Sequence, residues 1–207
     1  MGYLLGSIPS GYLIGKSFKG IDIRDFGSGN IGFANALRVL GLFPGLMVLI
    51  TDTGKGIIAV WIGYLISPLA GINPQIGGGI AGLLAIIGHN WTIFLKFKGG
   101  KGVATTAGVF LSLTPLPFIF AVLVMVGVVG LTRYISLGSI ISGCTLPLLI
   151  WLCVKDKEWF YVILSIMAAG FIVFKHRSNI KRLLKGEEIR LGEKMKKGVS
   201  HNSKITP

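Results

Sequence analysis

Five stretches of this chain, 43–66, 76–95, 115–131, 135–154 and 159–174, are almost wholly apolar, and each is near the length needed to cross a bilayer. A spanning helix takes about 20 predominantly apolar residues, and inside lipid its backbone N–H and C=O groups must satisfy one another. Little but packed helices meets that demand. Only 14% of the 207 residues are charged, against roughly 25% in a soluble domain, and mean hydropathy is +0.73. An ordinary cytosolic globule, a disordered chain and a disulfide-stapled secreted module are excluded. Cys144 and Cys153 lie in apolar sequence without metal-ligand spacing and read as small hydrophobes.

Two shorter stretches extend the count. Residues 103–113 run into Thr114-Pro115-Leu116-Pro117, a natural break before the next helix. Residues 1–15 read as a short span whose pairs Gly2/Gly6 and Gly11/Gly15 suit close helix packing. Met1-Gly2-Tyr3 lacks the basic region of a cleavable signal, so this span is expected to stay, although an outer turn is missing or the bilayer thins there. The expectation is an all-α polytopic membrane protein of seven transmembrane helices, amino terminus outside and carboxyl terminus cytoplasmic. Basic residues support that count. The inner loops then hold Lys16, Lys19, Arg24, Arg38, Lys96, Lys98, Lys101 and Arg133, with ten more basic residues from Lys175 onward. Only Lys155 and Lys157 fall outside, beside Asp156 and Glu158. Fusing 103–131 into one crossing would put the basic tail outside, against the positive-inside rule. Residues 1–188 form the membrane domain, and 189–207, rich in Lys, Gly and Ser, reads as a disordered cytoplasmic tail.

Lys+Arg number 21 against eight Asp+Glu, a formal charge of +13. Topology accounts for part of this excess, but glycine, serine, asparagine and histidine are interleaved with the basic residues in three inner segments. The first runs from Gly27 to Arg38: Ser28 is placed to cap a short helix, Gly29 leaves N–H groups accessible, and Gly32, Asn35 and Arg38 share a three-residue spacing. The second comprises Gly88-His89-Asn90 and Lys96 to Thr105, where Gly99, Gly100 and Gly102 let N–H groups approach an oxyanion and Lys98 and Lys101 add charge. It is not a Walker A loop, because Leu95 stands at the first glycine position and Gly102 follows the lysine. The third runs from Lys175 to Glu188, with His176, Asn179 and Arg182 in a stripe. Plainer readings stand beside these: a capped surface helix, a flexible basic loop, and an amphipathic helix on anionic lipid. Asp52 and Lys55 share a helix face inside the bilayer, as an internal ion pair or as support for a site.

Several chemistries are absent. Phe94 and Lys181 stand where a His-x-x-x-x-Asp motif would need Asp after His89 and His176, and there is no Gly-x-Ser-x-Gly elbow, His-Glu-x-x-His or acidic metal cluster. What remains is rich in donors and poor in bases, suited to an activated substrate that carries its own phosphate leaving group. A transporter or lipid-binding scaffold is the competing class, and the absence of visible repeats or of polar outer loops counts against it.

The segments GSIPSGYLIGK (6–16), GSGNIGFANALRVLG (27–41), GH (88–89) with FKGGKGVATTAG (97–108), and HRSNIKRLLKGEE (176–188) resemble the bacterial acyl-phosphate-dependent glycerol-3-phosphate acyltransferases. The motifs are dispersed, in the family's order, and cover nearly the whole chain. The resemblance implies a seven-helix enzyme of the bacterial cytoplasmic (inner) membrane, with its active site on the cytoplasmic face. It would move an acyl chain from acyl phosphate to glycerol 3-phosphate, giving lysophosphatidic acid at the first step of phospholipid synthesis. It also implies membrane lipid as surroundings, no cofactor or metal, no nucleic-acid partner, and a monomer open to association with other enzymes of phospholipid synthesis. Where the family usually has an aromatic-proline pair after its Gly-His, this chain has Trp91-Thr92.

Matched by motif, Ser28, Asn30, Asn35 and Arg38 fall in the first block; His89, Lys98, Gly99, Gly100, Lys101 and Thr105 in the second; His176, Asn179, Arg182 and Glu187 or Glu188 in the third. The catalytic set is expected to be Ser28, Arg38, His89, Lys101 and Asn179. The Gly99–Gly102 loop, Lys101 and the Ser28 helix end would bind phosphate, with Gly29 beside them, and Arg38 would bridge the phosphate groups. His176 and Asn179 would orient glycerol 3-phosphate, and Ser28 or Asn179 would donate to the oxyanion. The base is either His89 or the acyl phosphate dianion.

Overall fold

A computed structural model describes residues 1–154 and 159–193. Among these residues it is all-helical: α1 (Gly2–Ser7), α2 (Ser10–Lys19), α3 (Phe33–Leu40), α4 (Leu42–Ile66), α5 (Pro74–Asn90), α6 (Val103–Leu113), α7 (Pro115–Thr132), α8 (Ile135–Cys153), α9 (Trp159–Lys175) and α10 (Arg177–Leu184). Lys155, Asp156, Lys157 and Glu158, expected on the outer side, and 194–207 of the expected tail lie outside the described residues. Residues 189–193, also assigned to that tail, are largely exposed but tied to the loop before α8: the Leu191 N–H donates to the Arg133 carbonyl at 2.7 Å, and Arg133 returns a bond to the Leu191 carbonyl at 2.7 Å.

Four segments, Leu42–Ala70, Pro74–Leu95, Pro115–Thr132 and Ile135–Cys153, are each long and apolar enough to cross a membrane, and α9 with α10 makes a fifth if that pair, bent by 59°, is one span. Local signals set their ends. Pro74 opens α5 behind Asn73, whose side chain accepts from the Gln75 N–H at 2.8 Å. Thr114 alone separates α6 from α7, with Pro115 at the first helical position.

The stretch 1–15, expected as one span, is divided. Ile8 and Pro9 separate α1 from α2, because proline has no N–H for the ladder and its ring excludes the preceding turn. The expected small-residue packing holds for Gly2 and Gly6, which meet the α5 backbone at Ala81 and Ala85. Gly11 instead meets the Ile31 carbonyl of a loop, and Gly15 lies nearest Ile21 and Ile23 rather than a neighbouring helix. A Cβ on Gly6 would strike the backbone of Ala85, so α1 lies against α5 at a distance only glycine allows.

Helix α4 is the hub, packed on α5, α6, α3, α1 and α2, whereas α7 joins mainly α8 and α8 joins α9. Val60, Ile86, Val109 and Phe110 are fully buried where α4, α5 and α6 meet. A second cluster, Ile14, Ile23, Ile31, Ala36, Leu40, Val48 and Leu95, fastens α2, α3 and the loops near them to α4. Large apolar side chains such as Leu123, Val126 and Leu131 on α7 face outward. In lipid that exposure costs nothing, so close packing and buried polar contacts hold the bundle.

Candidate active site

A cavity of about 180 Å³ lies at one end of the bundle, lined by Ser28, Asn30, Gly99, Lys101, Lys175, Arg177, Ser178 and Arg182. Its walls come from all three segments singled out in the sequence.

The first wall is the turn before α3. Ser28 does not cap a helix: α3 starts five residues later at Phe33, with Gly32 as its boundary and no side-chain cap. The turn is instead shaped by Asn35, which is 1% exposed. Its Nδ2 donates to the carbonyls of Asn30 (2.9 Å), Phe26 (3.1 Å) and Ile23 (3.2 Å), and its Oδ1 accepts from the Ser28 N–H (2.8 Å). Asn30 Oδ1 accepts from the Gly32 N–H at 2.9 Å. Gly27 (φ +63°) and Gly29 (φ +69°) take left-handed conformations that the turn requires. Ser28 and Asn30 thus reach the cavity while Asn35 and Gly29 do not line it.

The second wall is the loop Lys96–Gly102, pressed against the end of α5. Lys96 (φ 52°) and Phe97 (φ 61°) are left-handed without being glycine, a costly conformation fixed here by the Phe97 N–H donating to Thr92 O at 2.8 Å. The Gly100 N–H donates to His89 O at 2.9 Å. A Cβ on Gly99 would strike that carbonyl, one on Gly100 would strike the His89 ring, and one on Gly102 would sit 2.8 Å from Asn90 Oδ1. Lys98 points away and is exposed; Thr105 is fully buried on α6. Thr92, in place of the family's proline, donates from its hydroxyl to Ser7 O at 2.5 Å and so pins the loop region to α1.

The third wall is the bend between α9 and α10. Lys175 Nζ donates to Asn90 O at 2.7 Å and lies over the Trp91 ring. Asn179 joins the walls: its Oδ1 accepts from Lys101 Nζ (2.6 Å) and its Nδ2 donates to Glu188 Oε1 (2.6 Å). Glu188, 7% exposed, also accepts from Ser136 Oγ (2.7 Å) and from Arg182 Nε (2.7 Å). Burial raises its pKa, but those three donors outweigh burial and hold the carboxyl below the usual range. Of the alternatives Glu187 and Glu188, the structure connects Glu188 and leaves Glu187 exposed. Burial, reinforced by Arg182, Arg38 and Lys175 and opposed by Glu188, pushes the Lys101 amine down to about 8. His176 is held down to about 4 by burial and then by Lys101, so it is neutral near pH 7, its Nδ1 2.8 Å from Ile172 O.

Ser28, Asn30, Gly99, Lys101 and Arg182 therefore converge on one cavity, with Asn179 and Glu188 bonded to its lysine and arginine. Arg38 is placed otherwise than expected: it donates to the Ile189 carbonyl at 3.3 Å and does not line the cavity. His89, 3% exposed, lies behind the glycine loop and outside the lining. Lys175, Arg177 and Ser178 also line the cavity, beyond the residues that sequence spacing singles out. The three-residue stripe selected His176, Asn179 and Arg182, but α10 starts at Arg177 after a 59° bend, which turns its first residues toward the cavity. The basic run itself was the available signal. An apolar cleft of about 70 Å³ opens next to the loop, lined by residues of α6, α7, α8 and α9 that include Val103, Thr106, Phe118, Met125, Leu146 and Ile172.

Fold and site together define a polytopic helical membrane protein with a cation-lined, donor-rich cavity at one end of its bundle. The family described as glycerol-3-phosphate acyltransferase matches residues 1–186. The chain is 46% identical over 193 residues to glycerol-3-phosphate acyltransferase 2 of Moorella thermoacetica, covering 93% of this chain and 95% of that protein. It is 46% identical over 192 residues to glycerol-3-phosphate acyltransferase of Desulforamulus reducens, covering 93% and 92%. Its fold matches the crystal structure of PlsY (YgiH), an integral membrane glycerol 3-phosphate acyltransferase, in the glycerol 3-phosphate form, with a TM-score of 0.84, 36% identity and 92% of each chain covered. The lysophosphatidic acid form of that protein matches with a TM-score of 0.81. This chain belongs to the glycerol-3-phosphate acyltransferase family and is an acyltransferase.

Proposed function

We propose that the enzyme transfers an acyl group from acyl phosphate to glycerol 3-phosphate, releasing lysophosphatidic acid and phosphate. The observation that carries this reading is the cavity itself: four cationic side chains, Lys101, Lys175, Arg177 and Arg182, and no carboxylate or imidazole in its lining. Such a site binds phosphate and stabilises a phosphate leaving group, and its lining holds no carboxylate or imidazole to activate a serine or take a proton. A glycerol 3-phosphate hydroxyl attacks the acyl carbonyl, the new ester C–O bond forms, and the bond from acyl carbon to phosphate oxygen breaks. Lys101 and Arg182 take up charge on the departing phosphate, and Ser28 or Asn179 donates to the carbonyl oxyanion. The hydroxyl proton passes to the phosphate dianion. His89 is packed under Gly100 and does not line the cavity, so we assign it a structural role and leave the proton to the phosphate. Glu188 keeps Asn179 and Arg182 aimed, and Arg38 fastens the segment after α10.

The acyl chain enters the cleft beside Val103, which opens among lipid-facing helices next to the phosphate loop. In the membrane the α1–α2 pair, α4, α5, α6, α7, α8 and α9 make seven crossings, with the amino terminus outside. The cavity then faces the cytoplasm of a bacterial cell, where glycerol 3-phosphate is available, and the enzyme acts as a monomer. Purified protein given palmitoyl phosphate and labelled glycerol 3-phosphate should make lysophosphatidic acid, and acyl-CoA or acyl carrier protein offered separately should not replace that donor. No product, with labelled substrate accumulating inside proteoliposomes, would reverse the reading in favour of a transporter.

A further inference from the structure

The break between α1 and α2 leaves carbonyls without helical partners, and buried side chains from two other places reach them. Thr92 satisfies Ser7 O, and Lys55 Nζ on α4 donates to Ile8 O at 3.0 Å. Lys55 is paired with Asp52 at 2.9 Å, with side chains 4% and 2% exposed. Asp52 Oδ1 lies 3.5 Å from His89 Nδ1, and the opposite edge of that imidazole occupies the space a Gly100 Cβ would need. None of the three residues lines the cavity. A buried ion pair is a poor device for cohesion, because desolvation offsets its attraction and apolar residues of similar volume serve as well. Its place behind the phosphate loop is therefore informative.

We propose that Asp52 is a positioning residue for acyl transfer. Its carboxylate, steadied by Lys55, sets the orientation of the His89 ring, and the loop Gly99–Gly102 rests on that ring. Asp52 thereby fixes how Gly99 and Lys101 meet a substrate phosphate, without touching substrate. The contacts run from Ile8 O through Lys55, Asp52 and His89 to Gly100, one residue from the cavity lysine. This inference rests on the acyl-transfer reading above.

The test uses the full-length enzyme with palmitoyl phosphate and glycerol 3-phosphate. Asp52→Asn should raise KM for a phosphate substrate about tenfold or more, with kcat changed much less, as for a misplaced binding loop. His89→Asn should do the same, and in the double variant the two losses should not multiply, because both act through one contact. Amide exchange at 99–102 should quicken in Asp52→Asn, a readout independent of turnover. Asp52→Asn leaves Lys55 buried and unpaired, so the neutral pair Asp52→Asn with Lys55→Met serves as a second variant that retains the fold. The proposal is overturned by a folded neutral pair with wild-type KM and unchanged exchange, or by multiplying losses in the double variant. If wild-type enzyme makes no lysophosphatidic acid, the functional reading has failed, and the exchange measurement still decides whether Asp52 holds the loop.

Discussion

Two glycine-rich segments face each other across the cavity, and they are held in opposite ways. The turn 27–32 is held by side-chain amides: Asn35 bonds Ser28 and Asn30 within it and Ile23 and Phe26 just before it, and Asn30 Oδ1 accepts from the Gly32 N–H. The loop Gly99–Gly102 is held by exclusion, since its glycines lie where any Cβ would meet His89 or Asn90. One segment should therefore fail when a polar group is removed, the other when a single carbon is added.

The largest effect is expected from Gly100→Ala. The added carbon would collide with the His89 imidazole, and either the ring or the loop must move. A displacement of about 1 Å at a positioning loop costs on the order of 100-fold in kcat/KM. Steady-state kinetics with palmitoyl phosphate checks this, and a loss below about threefold would show that the loop tolerates a methyl group and is not sterically set.

Removing the amide on the other side should act first on stability. Asn35→Leu keeps the branched shape but leaves the Asn30 carbonyl and the Ser28 N–H without their partner and takes one of two donors from the Ile23 and Phe26 carbonyls, at about 1–3 kcal/mol for each group left buried and unpaired. Thermal unfolding in detergent should fall clearly, with activity lost alongside. Asn35→Asp keeps the acceptor for the Ser28 N–H and loses the donors, so it should be nearly as damaging. A variant that melts like the wild type would mean that the turn is held by something other than Asn35.

The contrast also explains what was legible in the sequence. Apolar length alone located α4, α5, α7, α8 and α9, because lipid demands long runs that nothing else in a chain of this size requires. Glycine, lysine and asparagine clusters marked the three walls. The roles within them were less visible. Ser28 had the composition of a cap, yet the helix starts at Phe33, and Asn35 reaches back to hydrogen-bond the backbone of Ile23, Phe26, Ser28 and Asn30. His89 had the composition of a base, yet tertiary packing puts it under Gly100. Asp52 and Lys55 stood out as charges in a membrane segment, but their partners at Ile8 and His89 come from other helices. Residue type is local, whereas burial and direction are set by neighbours distant in sequence.

Unlike the turn opposite, the glycine loop also carries a titratable charge into the cavity. Lys101 is the loop's cation in the cavity, with its pKa pushed down to about 8. Below that pH it is protonated and attracts phosphate; above it, the amine is neutral and the attraction is lost. The ratio kcat/KM should fall as pH rises through about 8, and bound anion should move the limb upward. Lys101→Arg should remove this limb, since guanidinium stays charged, though at a cost of about tenfold from altered reach toward Asn179. A flat profile between pH 7 and 9.5 in the wild type would detach Lys101 from phosphate binding.

The smallest expected effect separates charge from backbone within the same loop. Lys98 is two residues after Lys96 and three before Lys101 in a segment of uniform basic composition, and the motif match groups it with the site. In the fold it is exposed and outside the cavity lining, because the left-handed backbone at Lys96 and Phe97 turns the chain over before Gly99. Its charge then acts on a phosphate only through solvent, where salt screens it within about 10 Å at 0.1 M. Lys98→Ala should change kcat/KM by no more than about twofold, the range typical of surface substitutions away from a site, and the change should shrink as salt is added. A tenfold loss that persists in high salt would place Lys98 in direct contact with substrate and would mean that the loop closes onto it. The glycine loop would then be mobile on the reaction path rather than fixed by the packing that distinguishes it from the turn opposite.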